Sequence, residues 1–484
     1  MSDQILATDP ASGYDPGSWL LFNNVFQSLL SFPRGAVEPE PDAAERCAFT
    51  GRTTTVYRCT LREGLTFSNG DALTATDVKF SFDRMKRIAD PDGPSVMFPM
   101  LAEVSAPDPR TVVFRLDRPD ATFPSKIASG AGSIVNHRQY RADGIREDDE
   151  VSGSGPYRLD SITDREAVFL PNENYRGAAE PENSGITLKL FRGDQDRLKA
   201  AVQNGEVDIA YRGLAAQDIA DLEASTAEDV SVVEGSSAEV QHLVFNMDDP
   251  VTRRIGVRRA VALLLDREAL IRDVYQDTAT PLYSMVPAGI AGHATTFFDT
   301  YGARPSREDA AEALKAEGIK GKVELTLWST PARYGPATDQ AMAAIADQLN
   351  ASGLFDAETR STDFAQYEKD IAAGRYGVYV KGWVPDYPDA ENFTAPFFGP
   401  DNVLNNRYVN RAITEDLLPR SATVADRPSA DRYFGRLQQI VADEIPVLPI
   451  WQGKQYAVVR DGVNGVENCL DTTTVFRFWE LSTD

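Results

Sequence analysis

The sequence predicts an α/β protein built as two lobes, with a further block set into the first. Three observations lead there. Strand-type and helix-type segments alternate with short links, the pattern of layered α/β units. The alternation comes in two series, one before and one after Val240-Gln241-His242-Leu243-Val244-Phe245-Asn246, so the bodies join near Asn246. The stretch from about Phe49 to Glu150 reads as a separate block, with strands at Val56–Leu61 and Thr111–Leu116 on either side of a helix.

Bulk properties narrow the class. A chain of 484 residues is long enough for two or three domains with their own cores. A net charge of −24 argues against nucleic acid and against an anionic membrane surface as partners. No segment approaches the roughly 20 apolar residues of a membrane span. Met1-Ser2-Asp3-Gln4 has neither the basic nor the apolar region of a signal peptide, so the expectation is a cytosolic protein or one whose export signal has been removed. Of three cysteines, Cys47 and Cys59 flank a hairpin-like run turning near Gly51, which favours a disulfide over two free thiols and suits an oxidising compartment; Cys469 reads as a buried small apolar residue.

In the first series, a turn-rich opening precedes a helical stretch with Leu20, Asn24 and Gln27 on one side and Leu21, Val25 and Leu29 on another. Tyr14 and Trp19 sit near its start, with packing the stronger expectation for Trp19. Thr74 and Asp77 form a capping box for a helix whose apolar face is Val78, Phe82, Met85 and Ile88. Gly153-Ser154-Gly155-Pro156-Tyr157 is a turn re-entering a sheet; it lacks the lysine and spacing of a phosphate loop. Ile186–Phe191, Asp194–Asn204 and Val207–Ala210 read as strand, helix, strand in a parallel unit, with Gly205 ending the helix.

The second series opens with one long helix from about Thr252 to Tyr275. Ser306 caps a helix ended by Gly318, Val323–Trp328 is a strand, and Met342, Ile345 and Leu349 mark a helix ended by Gly353. Phe364–Ala373, ended by Gly374, leads to a strand at Tyr376–Val380 and a loop at Lys381–Asp389. A helix over Ser429–Ala442 and an extended run Ile445–Trp451 follow, with short tail strands at Ala457–Val459 and Thr474–Trp479. The Lys381–Asp389 loop holds two aromatic rings, two prolines and acids beyond the carboxyl end of a strand, where ligands of open α/β sheets sit; the same composition serves an ordinary polar turn equally well.

Several runs then resemble a known family. Leu61 to Ser81 (LREGLTFSNGDALTATDVKFS) resembles the signature of the extracellular solute-binding proteins, family 5, the peptide- and nickel-binding receptors of bacterial ABC importers. Gly153–Tyr157 is similar to that family's GTGPY. Phe245-Asn246 with Arg258-Arg259-Ala260-Val261-Ala262 and Leu265-Asp266-Arg267, and Pro446–Trp451, are similar to its later motifs, in the same order. The resemblance implies the two-lobed periplasmic-binding-protein-like fold (type II, cluster C) with an extra α+β domain inserted in the first lobe. The expected boundaries are 1–48, 151–245 and 450–484 for lobe I, 49–150 for the insert and 246–449 for lobe II. It also implies an exported, cell-surface lipoprotein whose signal and lipid anchor are not in this sequence, acting as a monomer with a membrane permease as partner.

For the site, the resemblance implies that Asp386, in Gly382-Trp383-Val384-Pro385-Asp386, pairs with a peptide's α-ammonium, since an ammonium desolvated in a closed cleft needs a charged partner. Trp383, Tyr387 and Tyr14 are candidate aromatic walls, with packing as the alternative. Arg375 precedes its strand, at the end away from the cleft, and reads as a solvated charge. No catalytic residue, metal or cofactor is expected: there is no G-x-S-x-G or H-E-x-x-H, and His137, His242 and His293 lack metal-ligand spacing. The expected activity is capture of a peptide or similar small solute by hinge closure. The alternatives are an oligosaccharide receptor of the same family, and a relative turned to secondary-metabolite handling or to hydrolysis through Asp386, Asp389 and Glu391.

Overall fold

The structure, a computed structural model, describes residues 1–51, 53–148, 150–224, 229–334, 336–400 and 402–484. Two long antiparallel strands, Val230–Phe245 and Val447–Arg460, form its spine. They pair from Val230 with Arg460 to Val244 with Val447, and the register shifts between Ser236 and Val240. Each half of the spine carries a different neighbourhood. The Val230–Ser236 end pairs beside Ile209–Tyr211, and the Val240–Phe245 end beside Val378–Trp383, Val323–Ser329 and Phe355–Ser361. Both long strands extend beyond expectation. Val230–Ser236 is not among the expected strands, although Val230, Ser231, Val232 and Val233 are of strand type, and Ala457–Val459 is the end of the 447–460 strand, not a separate one.

The second lobe follows local rules. Val323–Ser329 pairs in parallel with Phe355–Ser361 and with Val378–Trp383, with helices Pro336–Ala351 and Phe364–Ala372 as the crossovers. Ser306 accepts from the Asp309 amide at the start of Arg307–Ala316. The expected helix from Thr252 to Tyr275 is instead two, Ile255–Leu264 and Arg267–Asp273. Leu265 turns extended, and Asp266 caps the second helix by accepting from the Ala269 amide. The motif arginines here are structural. Buried Arg258 donates to Glu444 O at 3.0 and 2.8 Å, and buried Arg267 to Pro449 O at 2.8 Å, tying these helices to the chain entering the spine.

The first lobe does not follow them. The expected parallel unit at 186–210 is absent: Ile186–Lys189 pairs antiparallel in a three-stranded sheet with Glu166–Pro171 and Tyr157–Ile162, while Ile209–Tyr211 pairs antiparallel with Ala457–Val459 of the spine. The helix Pro16–Val25 is capped by Asp15 and buried on most sides, so its two predicted faces both pack, and Phe26 already turns extended. Gly153 and Gly155 run against its end. A Cβ at Gly153 would lie 2.0 Å from Val25 O, and the Gly155 amide donates to Val25 O at 2.8 Å. The expected strand at Thr474–Trp479 is irregular chain ending in a short 3-10 turn, Phe478–Glu480. Its backbone is held by a side chain instead: buried Arg477 donates to Phe32 O, Asn468 O and Asp471.

Within residues 44–116 a four-stranded antiparallel sheet runs Ala44–Phe49, Val56–Leu61, Thr111–Leu116, Leu101–Asp108. Cys47 and Cys59 face each other across its first pair and form a disulfide; Cys469 is buried and free. The helix Ala75–Ile88 packs on this sheet with its Thr74–Asp77 capping box formed. Asp77 also accepts from the His137 amide and pairs with His137 Nδ1 at 2.6 Å.

Candidate functional site

The register shift in the spine opens onto a cavity of about 590 Å³ between the two sets of sheets. Two neighbouring parallel strands deliver residues to it. The chain leaving Val378–Trp383 brings Trp383 and Asp386, and the chain leaving Val323–Ser329 brings Arg333 and Tyr334. Both sets lie at or beyond the carboxyl ends of their strands. The Trp383–Asp386 segment is therefore part strand: Lys381, Gly382 and Trp383 pair with His242, Gln241 and Val240, so the expected loop begins only after Trp383.

Asp386 is positioned from behind by Asn392. The Asn392 amide donates to Asp386 Oδ2 at 3.1 Å, while Asn392 Oδ1 accepts from the Asp386 amide and from Trp383 Nε1, both at 3.0 Å. Asn392 lies in the 3-10 turn Ala390–Phe393, which Asp389 caps; Asp389 is in turn gripped by Arg427 through two bonds of 2.7 and 2.9 Å. From the first lobe, the Tyr14 hydroxyl donates to Asp386 Oδ1 at 2.6 Å. Tyr14 is set by Trp19, whose ring centre lies 5.6 Å away and whose Nε1 donates to Gly13 O. Only a glycine fits at 130, because a Cβ there would come within 2.7 Å of the Trp19 ring.

Burial pushes the Asp386 carboxyl above the usual carboxylate range, although the Tyr14 and Asn392 hydrogen bonds and the Lys126 charge oppose the shift. Asp386 carries no ion pair within bonding distance among the described residues. It is thus a half-buried acid facing a cavity with two donors and no cation on it.

Of the residues expected from sequence, Tyr14, Trp383 and Asp386 meet at the cavity wall. Tyr387 is turned away. Its ring is buried among core residues of the four-stranded-sheet block, and its hydroxyl donates to Glu391. Arg375 is exposed, pairs with Asp370 and lines a separate surface groove. Asp386, Asp389 and Glu391, the acids of the hydrolytic alternative, bond respectively to Tyr14, Arg427 and Tyr387.

Arg333 was missed. It lines the cavity with its guanidinium over the Phe364 ring and without an ion-pair partner among the described residues. Asp386 was singled out by the family resemblance, which implied nothing for Arg333; the strand-end rule that drew attention to the Lys381–Asp389 loop applies equally to the chain after Val323–Ser329. Glu239, at the register shift, also lines the cavity, and burial raises its pKa while Arg212 and Arg333 oppose. Of the remaining charges, Arg212 pairs with Asp3 and Lys381 with Glu368, both at 2.6 Å, while Asp15 accepts from the Ser18 amide as the helix cap. Beneath the floor, His242 is buried with both ring nitrogens unpartnered and its ring edge-on to Phe397, and burial pushes its pKa down to about 3.

The family model described as bacterial extracellular solute-binding proteins, family 5, matches residues 38–405. The chain belongs to this family. The chain is 25% identical over 472 residues to the probable D,D-dipeptide-binding periplasmic protein DdpA of Escherichia coli (strain K12), covering 94% of this chain and 88% of that one. Among solved structures, it is similar to HbpA2 from Haemophilus parasuis, with a TM-score of 0.87 at 21% identity over 100% of this chain and 98% of that one. It is also similar to the ABC transporter-associated periplasmic binding protein DppA from Helicobacter pylori in complex with the peptide STSA, with a TM-score of 0.79 at 20% identity over 100% and 96%. The fold is that of two-lobed family 5 solute-binding proteins, and the antiparallel spine with its register shift is the element that joins the lobes. Family members are binding proteins.

Proposed function

We propose that this chain is the solute-capturing receptor of an ABC importer and that its ligand is a small peptide. The observation that carries the reading is that Asp386 and Arg333, opposite in charge, line one cavity and neither has an ion-pair partner at bonding distance among the described residues. A zwitterionic peptide supplies both missing partners, its α-ammonium at Asp386 and its carboxylate at Arg333, where a guanidinium suits a planar anion. Tyr14 and Trp383 flank the ammonium as aromatic walls. A cavity of about 590 Å³ suits a short peptide, since sites for small ligands span roughly 300–1,000 Å³. The relative named for D,D-dipeptides and the neighbour bound to a tetrapeptide support the same class.

The lobes are residues 1–48, 151–245 and 450–484 for the first and 246–449 for the second, with 49–150 inserted. Ligand binding favours the closed state, and the closed form is presented to a membrane permease. The protein works as a monomer outside the cytoplasmic membrane, held there by a lipid anchor; its disulfide suits that compartment. It performs no covalent chemistry. An oligosaccharide would leave both charges unmatched, which argues against that alternative.

The test is a thermal-shift and calorimetric screen of di- to tetrapeptides and oligosaccharides on the wild type and Asp386→Asn. Ligands that bind only the folded form raise its melting temperature by mass action. Peptides should shift the wild type and leave Asp386→Asn unmoved. Sugars shifting both proteins alike would remove the peptide reading.

A further inference from the structure

Lys126 is a lysine in the interior. It stands on the short helix Phe123–Ala128, whose Phe123 packs against Phe114 and Tyr57 of the four-stranded sheet. Its side chain is 6% exposed, and its ammonium donates to Asp120 Oδ2 at 2.9 Å. A buried lysine with one carboxylate partner is an ordinary ion pair. The surroundings here are not ordinary. The ammonium also lies 5.7 Å from the centre of the Tyr387 ring, and Tyr387 comes from the second lobe and is buried in the first lobe's core. The hydroxyl of the same ring donates to Glu391, also of the second lobe.

Around this contact the lobes meet elsewhere. The Ala121 amide donates to Ala422 O at 3.0 Å, and the Thr54 hydroxyl to the same oxygen at 2.6 Å. In the seam Asp120 pairs with Lys126 directly, Glu391 bonds the Tyr387 ring that Lys126 faces, and Asp386 acts on Lys126 through its charge, while Asp389 is matched by Arg427. Burial works against the Lys126 charge, but Asp120, Glu391 and Asp386 overcome it and hold the ammonium above its ordinary range. Burial raises Glu391 in turn, and Lys126 is the largest influence opposing that rise.

We propose that Lys126 is a positioning residue for the ligand site: it is the counter-charge that lets the acidic tip of the second lobe, Tyr387 to Glu391 with Asp386 beside it, seat against the first lobe. Three carboxylates brought into one seam repel each other and lose hydration, and closing is unfavourable without a cation among them. Lys126 offsets part of that cost permanently, and the ligand ammonium at Asp386 offsets the next part. The closed state therefore needs both, which ties closing to ligands that carry a positive charge. This inference rests on the reading that Asp386 receives an ammonium and that the lobes close on it.

The test uses the full chain with Ala-Ala as probe. Spin labels go on Thr53→Cys and Thr423→Cys, exposed positions on either side of the seam; buried Cys469 stays unlabelled. The distance distribution reads the closed fraction with and without peptide, and calorimetry reads affinity. Lys126→Met should lower the closed fraction and weaken Ala-Ala binding by about ten-fold or more. Lys126→Arg, which keeps the charge, should retain most of both. The deciding variant is Lys126→Met with Glu391→Gln: removing one carboxylate along with the cation should return much of the loss, which a packing role for Lys126 would not. Lys126→Met closing and binding like wild type, or Glu391→Gln deepening its loss, would overturn the proposal. If the wild type binds no dipeptide, the peptide reading fails alone, and the closed fraction without ligand still decides the role of Lys126. A wild type with no closed population in any condition also overturns it.

Discussion

Both lobes have apolar cores, but these are assembled from the chain in opposite ways. The main core of the second lobe draws on Leu243 to Ile450, an almost unbroken stretch, and its central strands are joined by helical crossovers that pack beside them. The corresponding core of the first lobe collects Met1, Leu20–Phe26, Tyr157, Phe169, Tyr211, Ala457 and Phe478, parts far separated in sequence. The difference shows how far local pattern reaches. Where a strand's partners follow through a helix, periodicity predicts both the element and its pairing. Where partners lie hundreds of residues away, it predicts the element at best.

The comparison can be broken first in the cores. Phe478 packs edge-on against Tyr157 and Phe169 and brings the C-terminal segment into the first lobe. Phe478→Ala should cost about 3–5 kcal/mol and move only a first-lobe transition in urea, while Leu327→Ala, about 2–5 kcal/mol, should move only the second-lobe one. A single shared transition for both would show that the lobes do not unfold separately. Next is the site between them. Asp386→Asn should cost about 2–5 kcal/mol of peptide affinity by calorimetry, and Arg333→Met a comparable share, while Arg375→Met should leave affinity within error. Equal losses at Arg333 and Arg375 would place the carboxylate elsewhere.

Removing the disulfide by Cys47→Ser and Cys59→Ser should cost about 2–4 kcal/mol, read by denaturant midpoint, since the bridge closes a short loop across one hairpin. A smaller effect comes from titrating the site. Asp386 keeps its proton to higher pH when folded than when unfolded, so across that window the folded state binds more protons and acid favours it. The stability of the ligand-free wild type relative to Asp386→Asn should thus fall as pH rises from the ordinary carboxylate range through the raised value. Peptide affinity should move the other way and weaken as the carboxylate is protonated. Parallel pH profiles for the two proteins would remove Asp386 as the titrating group. The smallest change is expected at His242→Leu. Its ring nitrogens bond to nothing, so its loss should alter stability by no more than about 1 kcal/mol and in the stabilising direction.

Much of the site was legible because its parts are local. Gly382 and Trp383 end a strand and Val384-Pro385-Asp386 leaves it, and that position points the acid into a cleft. Tyr387, one residue on, was indistinguishable from a cleft wall in sequence. Only the seam shows it buried against the first lobe, beside Lys126. Lys126 itself carries no signal, since a lysine in a short helical stretch reads as a solvated charge. Arg333 lies in the stretch that the strand-end rule marks on the neighbouring strand, but the resemblance that singled out Asp386 gave no residue there.

The sequence alone determined the elements whose causes are short-range: the Thr74–Asp77 capping box, the turns at Gly205, Gly318, Gly353 and Gly374, the paired cysteines of a hairpin, and the α/β series of the second lobe. Tertiary structure alone decided that Val230–Ser236 runs on with Val240–Phe245 as one strand of the spine, that Ile209–Tyr211 joins the spine rather than a parallel unit, that Thr474–Trp479 is held by Arg477 instead of a ladder, and that Tyr387 crosses to the other lobe. The physical reason is common to all four. A capping bond or a positive backbone angle is satisfied within a few residues, whereas a strand edge or a buried ring is defined by the partner that covers it, and that partner is chosen by the whole fold.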